Sequence, residues 1–93
     1  MKPRDKKTEV SKLEGILKAC IGNKVRFRVD GIVTFTNEIL KDYIIGDSDI
    51  TIVMEQESIT TNNYNEVSFT HYEDRVDFWI YGDRTSRFNL QFA

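Results

Sequence analysis

Hydrophobic residues fall along this chain in two rhythms, and the change comes at Lys24. Upstream, Val10, Leu13, Ile16, Leu17, Cys20 and Ile21 recur at helical spacing and form one apolar stripe. The spacing predicts a helix capped by Thr8, or by Ser11 with Glu14 as a capping box, and stopped at Gly22-Asn23. Gly15 inside it costs about 1 kcal/mol relative to alanine, so packing rather than propensity has to hold the helix. Cys20, on the stripe, reads as a small core residue. The segment ahead, MKPRDKK, is basic, carries the single proline and has no apolar period. It reads as a flexible arm (residues 1–7), with one domain over residues 8–93.

From Lys24 the period is two. Val25 and Phe27 alternate with Lys24, Arg26 and Arg28, then Asp30-Gly31 marks a turn. A three-residue loop, Val29-Asp30-Gly31, pairs Phe27 with Val33 and Val25 with Phe35 and leaves a single apolar face. Residues 37–45 fit either a short helix, through Ile39, Leu40, Tyr43 and Ile44, or a bent strand. Gly46-Asp47-Ser48-Asp49 is a turn cluster, Ile50, Ile52 and Met54 alternate as a strand, and residues 60–65 form a polar loop. Val67, Phe69 and His71 alternate, Glu73-Asp74 turns, and Val76, Phe78 and Ile80 alternate again. A two-residue turn pairs His71 with Val76, Phe69 with Phe78 and Val67 with Ile80. A three-residue turn at Gly82-Asp83-Arg84 then sets Phe78 against Phe88 and Val76 against Leu90, with Trp79 beside Arg87 and Tyr81 beside Thr85 on the opposite face.

The pattern therefore predicts a mainly β, α+β domain. An N-terminal helix is followed by five to seven antiparallel strands in a small barrel or a strongly bent meander sheet. At 93 residues the chain is one domain's worth of polymer. With 40% hydrophobic and 12% aromatic residues, it is too rich in core-forming side chains for a disordered segment. No apolar run approaches the length of a membrane span and no signal-peptide pattern opens the chain. One cysteine excludes an internal disulfide and any multi-cysteine zinc site. Together these point to a cytoplasmic protein that does not act at membranes.

Charge changes the picture more than composition does. The net charge of −2 conceals nine Lys/Arg against four Asp/Glu in residues 1–30, and four against eleven in residues 31–93. A uniformly basic nucleic-acid binder has no such balance, but a local basic surface is compatible with it.

Enzymatic chemistry finds little support. The five glycines are scattered and form no phosphate-binding loop, and Asp47-Ser48-Asp49 lacks the calcium-loop pattern. Cys20 and His71 lie far apart in sequence, and a thiol on an apolar helix face is unreactive. No cofactor or metal is implied.

Two surfaces suit binding instead. Lys24, Arg26 and Arg28 form a cationic row on one strand face, suited to phosphates. Tyr72, Trp79 and Tyr81 face outward in the register above, where aromatics stack on bases or anchor a protein interface. His71 alternates with core residues near a hairpin end, so it reads as structural, and it is also a candidate base contact. The candidate nucleic-acid site is thus Lys24, Arg26, Arg28, His71, Tyr72 and Trp79.

The stretch LEGILKACIGNKVRFRVDG, from Leu13 through Gly31, is similar in its helix-to-turn spacing to the bacterial Sm-like (Hfq-like) small β-barrel family. Phe69-Thr70-His71 falls near that family's Tyr-Lys-His motif, of which only His71 matches by residue type. Residues 32–49 are longer than the family's second strand and turn, and residues 86–92 are an addition. The resemblance, one of layout over about two thirds of the chain, implies self-association into rings and binding of single-stranded RNA. Two functions are therefore expected of a non-enzymatic binding module: single-stranded nucleic-acid binding by a homo-oligomer, or interaction with a protein partner as a small regulatory or viral inhibitor or adaptor.

Overall fold

A computed structural model of the chain describes residues 6–29 and 36–92. Helix α1 (Lys6–Ala19) is followed by seven strands: β1 (Lys24–Val29), β2 (Thr36–Ile45), β3 (Ile50–Met54), β4 (Ser58–Thr61), β5 (Glu66–His71), β6 (Arg75–Tyr81) and β7 (Ser86–Gln91). They form one antiparallel sheet in the order β4-β3-β2-β1-β7-β6-β5. Two meanders, β1 to β4 and β5 to β7, are thus joined by the ladder between β1 and β7. Of the two expected forms, the bent sheet is the one adopted. It is not closed into a barrel, because β4 and β5 end the order without a ladder between them.

The helix buries Leu13 and Leu17 against the sheet, and the turn that follows it buries Cys20 and leaves Ile21 43% exposed. It begins at Lys6, so Thr8 and Ser11 lie inside it and neither caps it; residues 1–5 of the expected arm lie outside the described residues. Glu9 in the first turn and Lys18 in the last oppose the helix dipole favourably. The expected stop holds. Gly22 has φ 94°, a left-handed conformation that glycine adopts without Cβ strain, and its N–H donates to the Leu40 carbonyl at 2.8 Å. That bond fastens the helix exit to β2.

Residues 37–45 are strand throughout. The alternation is broken at Lys41, where the register slips between Leu40 opposite Met54 and Asp42 opposite Val53. One extra residue at this bulge moves the inward series from Leu40 to Tyr43 and Ile45. The first part of β2 pairs with β1 and the second with β3, so the bulge lies where the sheet bends from one partner to the next.

The Asp30-Gly31 turn, Val33 and Phe35 lie outside the described residues. The ladder beside them places Phe27 opposite Thr36 and Val25 opposite Glu38, which are not the partners expected for these two residues. Strand β4 falls partly within the expected polar loop; Thr51 Oγ1 and Thr60 Oγ1 share a hydrogen bond of 2.9 Å across it. The β5–β6–β7 register is the one expected, with Phe69 opposite Phe78, Phe78 opposite Phe88 and Trp79 opposite Arg87.

The inner face is a row of rings. Phe27, Phe88, Phe78 and Phe69 are successive cross-strand partners on β1, β7, β6 and β5. Phe78 and Phe88, both fully buried, stack at 4.9 Å between centroids and 15° between planes. At the far end Lys12 of α1 lies 5.7 Å over the Phe69 ring. The sheet curls enough to bring the end of β4 against the β6–β7 turn. There Asp83 N–H donates to the Asn62 carbonyl at 2.9 Å. Gly82 sits so close to this strand end that a Cβ would collide with the Asn62 carbonyl oxygen and lie 2.9 Å from Thr61 Cγ2.

Candidate nucleic-acid interface

Alternation sends Lys24, Arg26 and Arg28 of β1 to the outer face, together with Arg87, Asn89 and Gln91 of β7 and Arg75, Asp77, Trp79 and Tyr81 of β6. Five of these ten positions are cationic and one is a carboxylate. Register groups them into rows across the strands. One row runs Arg28, Arg87, Trp79, Ser68. The neighbouring row runs Asn37, Arg26, Asn89, Asp77, Thr70, and every member is polar.

Asp77 is the anchor of this surface. Its side chain is 2% exposed, and its two oxygens accept from Arg75 Nε at 3.3 Å and Arg87 Nη2 at 3.5 Å. A buried carboxylate needs such partners, because an unpaired charge taken out of water is strongly destabilising. The arginines keep a third or more of their side chains in solvent. Each also lies over an aromatic ring. Arg87 Cζ is 5.0 Å from the Trp79 centroid, and Arg75 Cζ is 4.2 Å from that of Tyr72. Both guanidiniums are therefore held between an anion and a π face, with less rotamer freedom than an exposed arginine has.

Of the six residues singled out from sequence, the fold brings Lys24, Arg26, Arg28 and Trp79 onto this face. Tyr72, 44% exposed, lies in the β5–β6 turn beside Arg75. His71 is opposite Val76 and belongs to the inner series; it is exposed at the end of β5 and stacks on Phe69 at 6.2 Å. It is not gathered with the cationic residues. Arg75, Asp77 and Asn89 were not singled out. The β6–β7 register already placed Asp77 and Asn89 opposite each other, but only the non-local ladder between β1 and β7 reveals that they adjoin Arg26.

Other features are less suited to chemistry. Burial pushes the Cys20 thiol up, and a smaller opposing effect comes from a hydrogen bond with Asn23. Among the described residues no group of three or more His, Cys, Asp or Glu could hold a metal ion, and no helix is long and apolar enough to cross a membrane. A cleft of about 540 Å³ opens beside Lys24, with Glu38, Glu55 and Glu57 on its walls. Glu38 Oε1 accepts from the Gln56 N–H at 2.6 Å, and a hydrogen bond with Glu38 raises the pKa of Glu57, desolvation and repulsion adding to it. A groove of about 510 Å³ runs beside α1, along Gly15, Ile16, Ala19 and Phe92. Compared with models of protein families, with curated proteins and with solved structures, the chain matches none.

Proposed function

We propose that the chain is a non-enzymatic nucleic-acid-binding module that works through the outer face of β1, β7 and β6. One observation carries this reading: five cationic side chains stand on a three-strand face whose single carboxylate is engaged by two of them. Phosphates supply the counter-charge such a face attracts, and their binding releases condensed counterions. Trp79 under Arg87 adds an aromatic ring on the β6 side of the same face. A net charge of −2 does not oppose this, because steering depends on where charge sits. The Sm-like layout and assembly into a ring belong to the same proposal, as does a cytoplasmic setting.

The test is binding of single-stranded RNA and DNA followed by fluorescence anisotropy across a salt series. Affinity is expected to fall with salt. Replacing Lys24, Arg26 and Arg28 together by alanine should reduce the slope of log affinity against log salt by about 2, at roughly 0.7 for each single-strand phosphate no longer neutralised. Absence of binding at low salt overturns the reading. A native mass measurement tests the ring, which a strict monomer overturns.

A second reading, docking to a protein partner, is favoured by the groove beside α1, where Phe92 is 43% exposed. Nuclease-resistant capture of a protein that Phe92→Ser abolishes supports it, and capture that survives Phe92→Ser counts against it.

A further inference from the structure

This inference rests on the nucleic-acid reading of the outer face and concerns what that face reads. Asn89 lies on β7 between Arg87 and Gln91, with Arg26 opposite on β1 and Asp77 opposite on β6. It is 8% exposed, and among the described residues its carboxamide has no hydrogen-bond partner. Its nitrogen and oxygen are not fully buried, so water serves them in the free protein and a ligand can take its place. Its neighbour Asp77 is engaged by Arg75 and Arg87. Asn89 is therefore a donor and acceptor held by a strand with ladders on both sides, and it has capacity left for a ligand.

We propose that Asn89 is the base-reading group of the face and that it takes an unpaired base with an exocyclic amino group beside a ring nitrogen, as in adenine and cytosine, in preference to uracil. The carboxamide complements that edge with both of its atoms: the oxygen accepts from the amino group and the NH2 donates to the ring nitrogen. Uracil also presents a donor beside an acceptor, so the amide alone does not discriminate. Its neighbours do. On the β6 side stands Asp77, whose oxygens retain lone pairs beyond the two hydrogen bonds they accept. A keto oxygen turned to that side is repelled, whereas an amino group is attracted. On the β1 side stands Arg26, a donor that suits the acceptor end of the base. In a duplex the Watson–Crick edge is occupied, so the target is unpaired.

Cytosine and uracil isolate the edge, because the two rings offer nearly the same stacking area. The experiment compares cytidine and uridine homo-oligomers of about ten nucleotides by fluorescence anisotropy at about 50 mM salt. The intact chain is expected to bind the cytidine oligomer about tenfold more tightly. Asn89→Ser is expected to bring the two affinities together while leaving the salt slope of the uridine oligomer unchanged. Asn89→Gln, which displaces the amide by one methylene, should give the same loss and serves if the serine variant does not fold. Equal affinities in the intact chain, or a preference that survives in a folded variant, overturn the proposal. Failure of the intact chain to bind either oligomer at low salt is a separate result, which overturns the proposed function and this inference with it.

Discussion

Thr61 Oγ1 and Ser86 Oγ lie 2.9 Å apart in a buried hydrogen bond, although three strands separate β4 from β7 in the sheet. Both residues are 1% exposed. The pair marks where the curled sheet returns on itself: strands that share no ladder meet through two hydroxyls.

Ser86→Ala leaves the Thr61 hydroxyl buried without its partner and should destabilise the fold by about 1–3 kcal/mol. Thr61→Val combined with Ser86→Ala removes both polar groups and should lose less than the two single changes summed. Urea unfolding of the four chains in a double-mutant cycle measures the difference, and additivity would show that the hydroxyls do not interact.

Asp77→Ala removes the carboxylate that Arg75 and Arg87 share. Because both arginines can turn toward water, the loss should fall below that of a fully buried pair, at about 2 kcal/mol. The Trp79 fluorescence of the folded variant should also change, since Arg87 is no longer held over the ring. Unchanged stability and emission would contradict the anchoring role.

Glu57 carries a pH dependence whose sign follows from its partner. The hydrogen bond with Glu38 raises its pKa above the ordinary glutamate range, with burial and charge repulsion adding to the effect. A group whose pKa is raised by folding contributes stability that is full below its unfolded value and is lost as pH rises through the folded one. Above the folded value two carboxylates face each other. Glu57→Gln should therefore raise the melting temperature near pH 7 and give no gain below about pH 4. A gain of equal size at both pH values would rule out the carboxyl pair as its source.

The last three strands were legible because two signals agreed there. The turns at Glu73-Asp74 and Gly82-Asp83-Arg84 fix a register that also gathers Val67, Phe69, Val76, Phe78 and Ile80 on one face. Around Lys41 the signals disagree: the bulge shifts the alternation by one, and a broken period of two resembles a helical one over so short a stretch. Strand β4 is short and mostly polar, with a single apolar residue, Ile59 opposite Ile52, beside its threonine pair, so no apolar alternation marks it. The cationic row of β1 and the Trp79–Arg87 pair were each readable. That they share a face was not, because their adjacency depends on a ladder between residues far apart in sequence.

That ladder also governs how the molecule can assemble. β1 and β7 find each other only by closing about two thirds of the chain into a loop, so the entropy of closure falls on one late encounter and slows folding. Until β7 leaves the ribosome, β1 has backbone donors and acceptors bare along one side, the kind of template on which neighbouring nascent chains cross-pair. The strand that presents the arginines is thus also the one most in need of shelter during synthesis.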